Sequence, residues 1–164
     1  AQDMHIAGYI QQAVKGAVLI VNKWDLAVDR SPDECSRYIR SQLKFMSYAP
    51  VLHISAKFGQ GIEKVIPQAF QIYQERLKRL TAAEVNSVVQ QAVASHNLPR
   101  AGKKQLKIFY ATQPEVNPPT FVFFVNDAKL IHFSYQRYLE NTLRKSFGFT
   151  GTPLRLVFKT RGEL

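Results

Sequence analysis

The sequence predicts a mixed fold in two parts, an α/β piece followed by a small α+β module. Three observations carry this reading. Two short apolar runs, Ala17–Val21 and Val51–Ile54, are set between stretches of helical period. That alternation of helix and strand is the mark of parallel strands joined by crossover helices. Near Leu80 the pattern changes to helix, strand, strand, helix, strand, so the expected division is 1–79 and 80–164. The length of 164 residues suits one ordinary domain or two small ones, and 46% hydrophobic content is too high for a disordered chain.

Each element has its own signal. Ile6, Ile10, Ala13 and Val14 recur at helical spacing, so Gln2–Val14 reads as a helix ended by Gly16. Ala17–Val21 is continuous and rich in branched residues, as expected of a strand buried on both faces. Ser31, Pro32 and Glu34 together predict a helix start with a capping box. Tyr38, Ile39, Leu43 and Met46 supply its apolar face, and Pro50 breaks it before the strand Val51–Ile54. Gly59 and Gly61 mark a loop, and a helix is expected over 62–79. Thr81 and Glu84 form a second capping signature ahead of Val85, Val88, Val89, Ala92 and Val93. Pro99 and Gly102 end that helix within a basic stretch. Ile108–Thr112 alternates as a half-buried strand, Asn117-Pro118-Pro119 turns the chain, and Phe121–Val125 is a strongly apolar strand. Ser134 precedes a helix carrying Tyr135, Tyr138, Leu139, Leu143 and Phe147. Gly148 and Gly151 stop it before a last strand, Leu154–Phe158.

Composition excludes several classes. The longest apolar runs are far too short to cross a bilayer, and with no charged-then-apolar stretch leading to a small-residue cleavage site, export is not expected. With Cys35 as the single cysteine, no intrachain disulfide can form, so a reducing, cytoplasmic setting is expected. His5, His53, His96 and His132 lack ligand spacing, so no metal site is expected. The chain opens on Ala1 rather than Met, in what reads as the inside of a helix, so a piece of a longer protein is expected. The net charge of +10 invites a polyanionic partner.

The sharpest chemical signal is Asn22-Lys23-Trp24-Asp25 at the end of the first apolar run. Ligands of open α/β sheets sit at the carboxyl ends of strands. A carboxylate there accepts two parallel N–H bonds, which guanine offers through its ring N1–H and exocyclic amine and adenine does not. Lys23 can lie along the base plane, and Asn22 can brace the loop. Ser55-Ala56-Lys57 follows the next run at the corresponding end, where the Ala56 backbone N–H can donate to the guanine carbonyl. Two such elements separated by one helix are far more specific than either alone.

These strings, with Ile6-Ala7-Gly8-Tyr9, resemble the latter part of the second GTPase domain of the bacterial double-GTPase family called Der or EngA. Tyr110-Ala111-Thr112-Gln113, Phe123-Phe124-Val125-Asn126 and Tyr135-Gln136-Arg137-Tyr138-Leu139-Glu140-Asn141 resemble its KH-like domain. The resemblance implies an incomplete three-layer α/β piece of a P-loop GTPase domain joined to a KH-like α-β-β-α-β domain. It implies GTP or GDP with Mg as cofactors of the longer protein, with Asn22, Lys23, Asp25, Ser55, Ala56 and Lys57 at the guanine base. It further implies a role in maturation of the large ribosomal subunit, with that subunit or its RNA and the family's other GTPase domains as partners. No G-x-x-x-x-G-K-[ST] and no preceding D-x-x-G occurs in these residues, so the chain by itself is expected neither to hydrolyse GTP nor to bind GDP usefully. The alternative is a standalone RNA- or ribosome-binding module whose GTPase residues are vestigial.

The second half is the more basic, with 11 basic and 5 acidic residues against 11 and 7 in the first 80. Arg100, Lys103, Lys104 and Lys107 cluster around one turn and are the candidate RNA or ribosome contacts. Phe109, Tyr110 and Phe124 lie nearby in sequence, and aromatics beside basic residues suit single-stranded RNA, but most of them alternate along strands and core is the expected place for any one of them. Gly148-Phe149-Thr150-Gly151 spells the G-x-x-G of nucleic-acid-binding KH domains, yet it separates a helix from a strand and reads as helix stop plus turn.

Overall fold

The computed structural model describes residues 2–101 and 104–162. The chain divides into two compact units, and the division does not follow the sequence linearly. The first holds the residues up to Arg76 together with Phe149–Pro153; the second holds Leu77–Gly148 and the residues from Leu154 onward.

In the first unit, α1 (Gln2–Gln12), α2 (Pro32–Gln42) and α3 (Val65–Arg76) alternate with β1 (Leu19–Val21) and β2 (Val51–His53). The strands pair in parallel, Leu19 opposite Val51 and Val21 opposite His53, with α2 in the crossover as the alternation requires. Ala7, Met46 and Ala49 are buried at the centre of a small core, against Ile10, Ala17, Leu19, Leu43 and Tyr48. Two expectations need correction. Among the described residues this sheet has two strands, so the apolar run is not buried on both faces and Ile20 stays 43% exposed. Ser31 flanks α2 with Pro32 in its first turn, but its side chain makes no capping bond.

The segment Phe149–Pro153 is woven into this unit. Ala17 N–H donates to the Gly151 carbonyl (2.8 Å), and Gly151 N–H donates to the Tyr48 carbonyl (2.9 Å). Phe149 N–H donates to Glu75 Oε2 at 2.6 Å. The buried Arg76 donates to the Val14 carbonyl (2.9 Å) and to Thr152 Oγ1 (3.1 Å). The G-x-x-G string is thus a helix stop, as expected, but it also carries a wholly buried phenylalanine, which was not.

The second unit runs α4 (Ala82–Ser95), a two-stranded hairpin of β3 (Arg100–Ala101) and β4 (Lys104–Gln105), β5 (Ile108–Val116), β6 (Pro119–Val125), α5 (Phe133–Phe147) and β7 (Arg155–Thr160). Its main sheet has the order β5-β6-β7, antiparallel then parallel, and the helices and sheet reproduce the expected α-β-β-α-β order. The Thr81 capping box forms in full: Glu84 N–H donates to Thr81 Oγ1 (3.3 Å) and Thr81 N–H donates to Glu84 Oε2 (2.7 Å). At the outer edge of β5, the Asn86 side-chain amide accepts from Ala111 N–H (2.8 Å) and donates to the Ala111 carbonyl (2.9 Å), covering part of an edge that would otherwise invite pairing. Phe121, Phe123, Val85, Leu139 and Leu143 fill the core. Phe109 and Tyr110 are 41% and 42% exposed and so are not core residues; a register shift between Ile108 and Tyr110 interrupts the alternation there.

Candidate functional site

Because β1 and β2 run in parallel as neighbours, the loops that follow them leave the sheet at the same end. The ladder continues one step past the strands: Ile54 N–H donates to the Val21 carbonyl and Trp24 N–H to the Ile54 carbonyl, both at 2.9 Å. Beyond that point side chains take over. Asn22 Oδ1 accepts from Lys23 N–H at 2.7 Å and from Ala56 N–H at 3.0 Å, tying the two loops together. Lys23 is held in the left-handed region, φ 60°, an uncommon conformation for a residue with a Cβ. Ser55, fully buried, donates its hydroxyl to Asp25 Oδ1 at 2.5 Å. The chain then closes a tight loop through reciprocal bonds between Ser55 and Gln60, at 2.9 and 3.1 Å. Gly61, at φ +76°, leaves no room for a side chain, since a Cβ would lie 2.8 Å from the His53 carbonyl oxygen.

The structure therefore brings Asn22, Lys23, Asp25, Ser55 and Ala56 together, with Lys57 on the same loop above the Phe58 ring (5.1 Å). Asp25 is exposed, and a carboxylate with one oxygen partly occupied by Ser55 keeps further acceptor sites. The Ala56 N–H, the expected donor to a guanine carbonyl, donates to Asn22 Oδ1 in this structure.

Sequence reasoning missed one packing pair beside these loops. The His53 ring meets Trp24 edge-on, centroids 4.3 Å apart, with His53 Nε2 buried and unpartnered. Burial holds the imidazole below its ordinary range, and Asp33 opposes that by a smaller amount. The placement of His53 at the end of an apolar run was the available signal.

Residues 79–159 match the family described as KH-domain-like of EngA bacterial GTPase enzymes, C-terminal. The chain is 47% identical to GTPase Der of Desulfitobacterium hafniense over 99% of its own length and 37% of that protein's. It is 45% identical to GTPase Der of Symbiobacterium thermophilum and 41% identical to that of Leuconostoc mesenteroides, covering 34% and 37% of them. By sequence, residues 79–159 belong to the EngA KH-like family. It spans a little over a third of the length of these Der relatives.

Within the part that matches the EngA KH-like family, the basic candidates expected around one turn lie on and beside the antiparallel pair β3–β4. Arg100 pairs with Gln105 across it, and Arg100, Lys104 and Lys107 are all exposed. Asn126 tethers its base, accepting from Lys107 N–H (2.8 Å) and donating to the Gln105 carbonyl (2.9 Å). Leu106, fully buried, pins the same segment. Gly102 and Lys103 lie outside the described residues. No helix among the described residues is long and apolar enough to cross a membrane.

Proposed function

We propose that this chain supplies the guanine-reading loops and the KH-like module of a cytoplasmic GTP-binding protein that acts on the large ribosomal subunit. In this reading the first unit is the latter part of a P-loop GTPase-type domain. The observation that carries it is the coupling of two strand-end loops, Asn22 to Ala56 and Ser55 to Asp25. Asp25 accepts the two N–H groups on the guanine edge, Ser55 fixes its carboxylate, Lys23 and Lys57 flank the base, and Asn22 holds the loops in register. An adenine would leave the Asp25 acceptors facing no donor pair, and such mismatched polar groups are what make hydrogen-bonded recognition selective. GTP or GDP with Mg is the cofactor, its phosphates and metal held by residues other than these 164, which contain no phosphate loop. The exposed Arg100, Lys104 and Lys107, with Lys103 between them in sequence, favour ribosomal RNA as the partner of the KH-like module.

The test is Asp25→Asn in the GTPase that carries these residues. Xanthine replaces the exocyclic amine of guanine with a carbonyl, so the variant should lose GTP affinity and gain XTP affinity. Full GTP affinity with no gain for XTP removes Asp25 as the base reader. Isolated chain titrated with GDP in a calorimeter should show no micromolar binding, and it should co-sediment with large ribosomal subunits at low salt and dissociate as salt rises. No association at low salt would overturn the ribosomal half.

A further inference from the structure

The main sheet of the second unit sets an aromatic pair and a cation in one row. Register places Tyr110 opposite Phe124 and Phe124 opposite Lys159, so the three side chains leave the same face. The Tyr110 and Phe124 rings stack with centroids 4.3 Å apart and planes 17° from parallel. Phe121, Phe123 and Val125, at the alternate positions of β6, are fully buried, whereas Tyr110 is 42% exposed and Lys159 is exposed. Arg155, opposite Thr120 and four residues from Lys159 on β7, projects from that same face and is exposed. Beside Tyr110 a hollow of about 160 Å³ is lined by Val89, Val93, Ile108, Phe109 and Tyr110. The guanidinium of Arg161 lies 5.1 Å over the exposed Phe109 ring.

Tyr110, stacked on the half-buried Phe124, keeps 42% of its surface exposed beside the exposed Lys159 and Arg155. Rings beside cations fit one ligand chemistry well, unpaired bases carried on a phosphate backbone. We infer that the row Tyr110–Phe124–Lys159 is a single-stranded RNA site, with a base stacked on Tyr110 and backbone phosphates at Lys159 and Arg155. Duplex RNA does not fit, because its bases are already stacked and paired and cannot reach a ring on a sheet. The site is separate from the G-x-x-G string, whose Phe149 is buried. It rests on the proposal that the KH-like module binds RNA, and it differs from the hairpin of Arg100, Lys104 and Lys107 in adding stacking to charge.

The experiment is fluorescence anisotropy of the whole chain with a short labelled oligouridylate and with an RNA duplex of equal charge. Tyr110→Ala should weaken oligouridylate binding about 10-fold or more, while Tyr110→Phe, which keeps the ring, should stay within about two-fold. Lys159→Ala should lower the slope of log affinity against log salt by about 0.7. Ultraviolet crosslinking should place the RNA on the peptide containing Tyr110. Should Tyr110→Ala unfold by circular dichroism, the Lys159→Ala slope and the crosslinked peptide decide. Duplex binding as tight as single-strand binding overturns the inference, as does crosslinking elsewhere with Tyr110→Ala unaffected. Loss of binding only in an Arg100→Ala/Lys104→Ala variant overturns it too, but leaves RNA binding standing. If the unmodified chain binds neither RNA while still co-sedimenting with ribosomal subunits, the stacking site fails and the ribosomal reading survives.

Discussion

The string Gly148-Phe149-Thr150-Gly151 offers a direct contest between a nucleic-acid clamp and a structural plug. Phe149 is fully buried, sits at φ +61° and donates its N–H to Glu75, whereas Thr150 is exposed. Phe149→Ala removes a packed ring without relieving the backbone, since alanine also has a Cβ, and should cost about 3–5 kcal/mol. Gly151→Ala should cost about 2–5 kcal/mol: its Cβ would run into the Ile72 side chain, an overpacking worth about 1–3 kcal/mol, and φ +74° adds about 1–2. Thr150→Asp puts a negative charge on the exposed position and should change stability by less than about 0.5 kcal/mol. Urea unfolding followed by fluorescence of Trp24, the single tryptophan, reads the first unit directly. Against a typical stability of about 5–15 kcal/mol, the first two variants should show midpoints well below that of the unsubstituted chain. RNA affinity of Thr150→Asp should be unchanged within about two-fold. If Phe149→Ala is nearly neutral while Thr150→Asp abolishes RNA binding, the string is a clamp and the plug reading is wrong.

Three further outcomes follow from single features. Because burial depresses the His53 pKa, the unfolded chain takes up a proton that the folded one resists; the stability this contributes is present above about pH 6.5 and is lost as pH falls through the lower folded value. Urea midpoints should therefore fall between pH 7.5 and 5.5 by more than in His53→Gln, and equal falls would refute the assignment. Ser55→Ala should cost the first unit about 1 kcal/mol, at the low end for a bond to a carboxylate because Asp25 can rehydrate, as measured by the Trp24 urea midpoint. Thr81→Ala should cost α4 about 1 kcal/mol, read by far-ultraviolet circular dichroism melts, because it removes the acceptor for Glu84 N–H.

Features controlled by local chemistry were legible in the sequence. Thr81 and Glu84 lie three residues apart, and the box they form needs nothing from elsewhere in the chain. The parallel pairing of β1 and β2 followed from two apolar runs with a helix between them, because a short connection cannot return a strand in parallel. What escaped depended on a partner distant in sequence. Ser31 and Glu34 have the same spacing as Thr81 and Glu84, yet Ser31 makes no side-chain cap, so residue types allow a box without compelling it. Nothing around Phe149 says that its segment belongs with residues up to Arg76 rather than with α5, which it follows. Alternation along β5 and β6 reads Tyr110 and Phe124 as core, but their cross-strand pairing and the exposure of Tyr110 depend on a register shift that the alternation does not show.

The two loops proposed to read the base show the same limit at the scale of one bond. Sequence assigns the Ala56 N–H to a guanine carbonyl, but the fold gives that donor to Asn22, thirty-four residues away. A carbonyl arriving there must share the hydrogen or displace the Asn22 oxygen, so in the function proposed here this contact adds little selectivity. The burden moves to Asp25, whose carboxylate is oriented by the buried Ser55 hydroxyl and reaches solvent on its exposed side. Removing Ser55 should then erode discrimination between guanine and adenine nucleotides by letting Asp25 turn. Removing Asn22 should act differently, releasing Lys23 from its left-handed conformation and loosening both loops, so that affinity for every purine falls together.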